Sequence, residues 1–124
     1  MNAIEKAVRR MTATVQRAAA VRVQYVRGPQ TIPAAAVIAD VEIEVTGPFG
    51  WPVTSRATDF LVETQRLVMD GKPIEPEPGD RVRVDRKGRW DTYEVTTFGD
   101  QGHCEPADPY GVSWRIHTKL VATG

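Results

Sequence analysis

The sequence is short of what would mark a nucleic-acid clamp, a membrane protein or a secreted scaffold. It has no net charge, because 16 lysines and arginines cancel 16 aspartates and glutamates. A chain that grips nucleic acid by charge alone carries a basic excess, so composition argues against that class. There is one cysteine, Cys104, and so no intrachain disulfide to hold the fold. No apolar run approaches the roughly 20 residues that a membrane-spanning helix requires. The opening Met1-Asn2-Ala3-Ile4-Glu5-Lys6 lacks the apolar segment of a signal peptide. Together these absences point to a reducing cytoplasm and to no membrane partner.

Chemistry is equally thin. Gly99, Gly102 and Gly111 do not form a phosphate-binding fingerprint. His103-Cys104-Glu105 offers three donor atoms in one loop, but no second pair stands at metal-ligand spacing. His103 and Cys104 are adjacent, and neighbours on an extended chain point apart, so adjacency does not make a nucleophile–base dyad. His117 falls on the polar face of a strand pattern, where a surface histidine is the default. Acid pairs such as Asp100 with Glu105, or Asp91 with Asp108, have no context that marks them as catalytic. The expectation is no enzyme, no cofactor and no metal.

What is present is one domain's worth of chain, 124 residues with 41% hydrophobic content. Charge is unevenly placed. Residues 1–27 hold six cations against Glu5 alone, which leaves ten cations and fifteen anions in residues 28–124. A basic end on an acidic body suits head-to-tail docking or an acidic partner. Residues 2–19 read as a helix, capped by Asn2 with Glu5 three residues on. Its apolar stripe is Ile4, Val8, Met11, Val15 and Ala18 or Ala19, and its other faces carry Lys6, Arg9, Arg10 and Arg17. So narrow a stripe needs a partner, either its own domain or a neighbouring subunit.

Residues 20–124 read as β structure. Alternation predicts strands at 21–25, 34–45, 54–62, 81–84, 90–97 and 112–121, with turns at Gly28-Pro29, Asp70-Gly71 and Lys87-Gly88. In 34–45, Ala35, Val37, Ala39, Val41, Ile43 and Val45 share one face, and Asp40, Glu42 and Glu44 the other, as in a half-buried strand. Residues 63–69 fit a turn of helix or a further strand, and 98–111 read as loop. On the last strand, Val112, Trp114, Ile116 and Leu120 face one way. One helix and about six short strands predict a mainly β single domain, a small antiparallel barrel or sandwich with an N-terminal helix.

Two sets of residues stand out as candidate contacts. Phe49 and Trp51 sit in the long 46–54 loop, either exposed for a partner or folded back to plug the barrel. Tyr110 has the same two readings. Arg83, Arg86 and Arg89, with Arg81, Lys87 and Trp90, make a basic hairpin that suits phosphates and base stacking, though Asp80, Asp85 and Asp91 dilute it. Two other functions follow from these features. One is a nucleic-acid-binding barrel that needs Arg83, Arg86 and Arg89; the other is a small enzyme using His103 and Cys104 in the 100–110 loop.

The order of features resembles a known family. A short basic helix precedes strands and a long loop, then Asp59-Phe60-Leu61-Val62 and Pro78-Gly79-Asp80-Arg81-Val82-Arg83-Val84. The closing Asp108-Pro109-Tyr110-Gly111 and Trp114-Arg115-Ile116-His117-Thr118-Lys119 are the most suggestive part. Over about residues 4–121 this resembles the head–tail joining proteins of tailed bacteriophages, also described as head-completion, tail-attachment or stopper proteins. The resemblance implies a small β-barrel that forms a homo-oligomeric ring beneath the portal. Its partners would be a portal or adaptor protein and tail proteins. Packaged DNA would lie close by without sequence-specific binding. The expected location is the virion neck, with assembly in the host cytoplasm. Arg9 and Arg10 on the helix, Phe49 and Trp51 in the loop, and Arg83, Arg86 and Arg89 on the hairpin become the expected contact residues. The 46–54 loop is the expected tail contact or channel gate, and the acids of strand 34–45 the expected DNA-facing surface.

Overall fold

The helix forms where a cap and one apolar stripe coincide. In the computed structural model, which describes residues 2–98 and 102–124, α1 spans Ala3–Ala19. Gly99 and Asp100 lie outside the described residues, as do the side chains of Ala18, Ile43, Val45 and Ser55. Asn2 caps α1, its Oδ1 accepting the Glu5 amide at 2.7 Å.

Nine strands follow among the described residues: β1 (Val21–Arg27), β2 (Gln30–Thr46), β3 (Pro52–Glu63), β4 (Val68–Met69), β5 (Lys72–Pro73), β6 (Arg81–Arg86), β7 (Arg89–Val95), β8 (Cys104–Pro106) and β9 (Ser113–Thr123). Antiparallel pairing runs β3-β2-β1-β6-β7-β9, and β9 pairs back onto β3, so six strands close a barrel. Closure pairs most of the sheet edges that an open sheet would leave free, and the part of β9 that β7 does not reach is taken by β8. The expected barrel is what the chain forms. The two-residue turns are as the sequence indicates: Asp70-Gly71 and Lys87-Gly88 both hold positive φ at each residue. The segment 63–69 resolves into a short 3-10 turn at Thr64–Arg66 followed by β4. The 98–111 segment is not all loop, because β8 adds a short strand to β9.

Large side chains fill the interior. Tyr25, Phe60, Leu67, Val82 and Ile116 are fully buried. Phe60 and Tyr93 meet edge to face, centroids 5.2 Å apart, from β3 to β7 on either side of β9. Where these rings crowd the interior, β2 contributes the small Ala36, with Ile32, Ala34 and Ile38 packed beside it. That inverts the expected facing of 34–45. The even positions 34–38 look inward, while Val37 lies outside, in a groove beneath α1. Both faces of this stretch are therefore covered, and the alternation marks the helix-facing side rather than the barrel interior. Trp114 packs against the core as expected, whereas Leu120 lies beside Tyr93 in a surface pocket and is half exposed.

The two stretches that read most like signatures are clamps on loops. Gly79 (φ 92°) turns the chain so that Asp80 accepts from Tyr25 Oη, from the Arg27 guanidinium at 2.8 Å and from the Glu77 amide at 3.0 Å. Asp108 accepts the amides of Tyr110, Val112 and Ser113 at 2.8–3.1 Å, which fixes the approach to β9. Tyr110 is neither plug nor exposed tip; it is half-buried beside this clamp.

The helix is held lightly. Gln16, buried, donates to the Leu61 carbonyl at 2.9 Å, and Val8, Thr12 and Val15 flank it over Val37 and Leu61. Gln16→Ala is expected to speed hydrogen exchange in α1 by about 10-fold, the equivalent of one side-chain hydrogen bond, and to leave barrel amides unchanged. Native-state exchange measured residue by residue checks this.

Candidate partner-binding surface

The most prominent feature grows from ordinary strand pairing carried too far. β2 and β3 pair over ten register steps, from Val37↔Leu61 to Thr46↔Pro52. β1 leaves β2 at Ala36, and β9 leaves β3 at Thr58. Beyond those points the two strands continue alone as a ribbon of about six residue pairs, roughly 20 Å long. A two-stranded ribbon on its own is marginally stable in water. Its even positions carry Asp40, Glu42 and Glu44 on β2, and Arg56 opposite Glu42 on β3.

The ribbon ends in the sequence's expected long loop. Pro48–Gly50 form a tight turn kinked at Phe49, closed by the Gly47 amide donating to the Trp51 carbonyl at 2.7 Å. Phe49 is 96% exposed and Trp51 71% exposed. Of the two readings open for these aromatics, the plug is excluded. Phe49 also holds φ 66°, the left-handed region that bulky residues avoid at a cost of roughly 1–2 kcal/mol. Strain of this kind concentrates at functional positions. Phe49→Gly is expected to leave stability unchanged or raise it by up to about 1 kcal/mol, while weakening partner binding. A urea titration set beside a binding assay checks both halves.

A second apolar surface lies beside α1. Val8, Met11, Thr12, Val15, Gln16, Val37 and Leu61 line an open groove of about 320 Å³ between the helix and the barrel. Ile4 and Met11 are about two-thirds exposed and Val15 about half. The stripe read from the sequence is therefore only partly spent on its own barrel. Arg9 and Arg10 lie on solvent-exposed faces of the same helix, Arg9 within 3.8 Å of Glu5.

The basic hairpin belongs to other strands. β6 and β7 stand across the barrel from β3 and β2 in the closed strand order. Arg83 stacks over Trp90 at 4.9 Å and donates to Gln24, which covers the ring that a base would need. Arg86 and Arg89 both flank Asp91, at 3.6 and 3.8 Å. The seven candidate residues thus fall in three places: helix, ribbon tip and opposite hairpin.

In the 100–110 loop, the alternative enzyme site, the histidine and the cysteine turn to one backbone carbonyl. His103 Nε2 and Cys104 Sγ both approach the Pro76 carbonyl, at 2.8 and 4.0 Å. Burial, then Glu75 and Glu105, pushes the Cys104 thiol up, away from the thiolate that reactivity requires. Among the described residues, no three acids, histidines or cysteines group as metal ligands, and no helix is long and apolar enough to cross a membrane. His117 is not a surface residue. It is buried and Nδ1 donates to Asp59 at 2.8 Å, while Arg115 Nε donates to the other Asp59 oxygen at 2.6 Å. Sequence reasoning missed this cluster because alternation places its members on an outward face. Only the pairing of β3 with β9 brings Asp59 opposite His117.

No curated protein matches the chain. The family described as phage head-tail joining protein matches residues 1–124, the whole chain. A projecting ribbon with bare aromatics, a lightly held amphipathic helix and a closed barrel suit a connector in a virion. The chain belongs to the phage head–tail joining protein family.

Proposed function

We propose that this chain assembles as a ring in the phage neck, between a portal or adaptor protein and the tail, and that its ribbon makes the inter-protein contact. The observation that carries this reading is the ribbon tip, which presents Phe49 and Trp51 to solvent at the end of a two-stranded arm with no partner of its own. Exposed aromatics are the usual anchors of protein interfaces. A protein contact suits the tip better than a gate pressed on DNA, because residues 46–54 contain no cation. Assembly takes place in the host cytoplasm before incorporation into the virion.

A nucleic-acid role for the hairpin is the weaker reading. Its arginines are already engaged by Gln24, Trp90 and Asp91. Light scattering over a concentration series, followed by negative-stain imaging with the neck fraction, tests the proposal. Rings, or density at the portal vertex, are the expected result. A strict monomer absent from every particle would overturn it.

A further inference from the structure

The ring reading leaves open which surfaces meet, and this inference, which rests on that reading, names them. We propose that the ribbon tip of one copy, Phe49 and Trp51, seats in the groove between α1 and the barrel of the next copy. Four observations carry this.

The chemistry matches. The tip is apolar and uncharged, and the groove is lined chiefly by Val8, Met11, Val15, Val37 and Leu61; Gln16 and Asp108, also in its lining, are already bonded to the Leu61 carbonyl and to the Tyr110, Val112 and Ser113 amides. An open groove of about 320 Å³ has room for an indole. The tip cannot fill its own groove. Nine residue steps of extended strand run from Val37 in the groove to Thr46 below the tip, roughly 30 Å, so the occupant is another molecule.

The charges match as well. Residues 40–58 carry Asp40, Glu42 and Glu44 against Arg56 alone, while α1 carries Lys6, Arg9, Arg10 and Arg17 against Glu5. An acidic arm laid along a basic helix of the neighbour is attractive, and it draws together the two halves of a chain whose total charge is zero. Finally, tip and groove are different surfaces on every copy. Such a contact is heterologous, and when its rotation closes it makes a ring. It also covers the two features that are under-supported in a single copy, the bare ribbon and the lightly held helix.

Two variants of the full chain test this. One carries Phe49→Ala with Trp51→Ala; the other carries Met11→Glu. All three positions are exposed, so both variants should melt like the parent chain. Sedimentation velocity should show self-association at least about 30-fold weaker for each variant alone, the loss of an interface hot spot. An equimolar mixture should form a dimer and stop, because one intact tip then meets one intact groove and nothing propagates.

Variants that associate as well as the parent chain would overturn the inference while leaving rings, and the neck role, intact. Two defective variants whose mixture gives no dimer would also overturn it, since tip and groove would then have different occupants. A parent chain that stays monomeric at every concentration would rule out a second copy as the occupant. Imaging of the neck fraction would then decide the ring reading separately.

Discussion

Replacing Asp80 with alanine is expected to lower the unfolding free energy by about 3–5 kcal/mol, the range for breaking a buried charged pair. The midpoint should fall by more than about 10 °C for a domain of this size. Asp80 is nearly fully buried and is the single acceptor that joins β1, β6 and the loop between β5 and β6. Without it the Tyr25 hydroxyl loses its acceptor in a site where that ring is almost wholly enclosed, and Arg27 keeps only Glu75 and Glu77. Tyr25→Phe, which removes one hydroxyl, should cost only about 1–2 kcal/mol. Thermal and urea unfolding of the two variants separates these magnitudes.

The same cluster sets the pH limits. Burial alone would raise the Asp80 carboxyl, but bonds from Arg27, Tyr25 and the Glu77 amide outweigh it and hold Asp80 below the usual aspartate value. A depressed carboxyl contributes stability that is present above about pH 4, the unfolded value, and lost as pH falls through the folded value. Tyr25 runs the other way. Burial, then the neighbouring Asp80, pushes its phenol up, so its contribution is present below about pH 10 and lost as pH rises beyond it. The Asp80→Ala variant should lose most of this acid sensitivity.

Asp59→Ala is expected to cost about 2–3 kcal/mol. Asp59 is 1% exposed and takes both Arg115 and His117, tying β3 to β9 at the seam where the barrel closes. The cost is smaller than at Asp80 because two donors lose their acceptor there rather than three. Hydrogen exchange should show the loss concentrated in the β3–β9 pairing, with the β6–β7 hairpin unaffected.

Local signals carried much of this structure. The Asn2 cap, the stripe on α1 and the turns at Asp70-Gly71 and Lys87-Gly88 are set by residues close in sequence, so they read directly. Long-range pairing did not. The facing of 34–38 depends on a helix that lies outside β2 and on rings that crowd the interior, and neither is visible in alternation alone. His117 became a buried residue only through β3–β9 pairing, and the short β8 exists only because β9 offers it an edge. For the candidate surface, composition singled out Phe49 and Trp51, but two readings fitted the loop equally. What decided between them was strand length: β2 and β3 outrun their neighbours and carry the loop away from the barrel. The arginines of the β6–β7 hairpin looked available in sequence because their internal partners, Gln24 and Asp91, are not apparent from charge patterning.

The most direct test of the neck role is in-vitro joining. Filled heads and finished tails from a phage lacking this chain are mixed with purified protein, and infectious particles are counted. The account predicts that the parent chain restores joining, and that the Phe49→Ala, Trp51→Ala variant, though fully folded, does not. Heads that join tails equally well without the chain, or a tip variant as active as the parent, would contradict it.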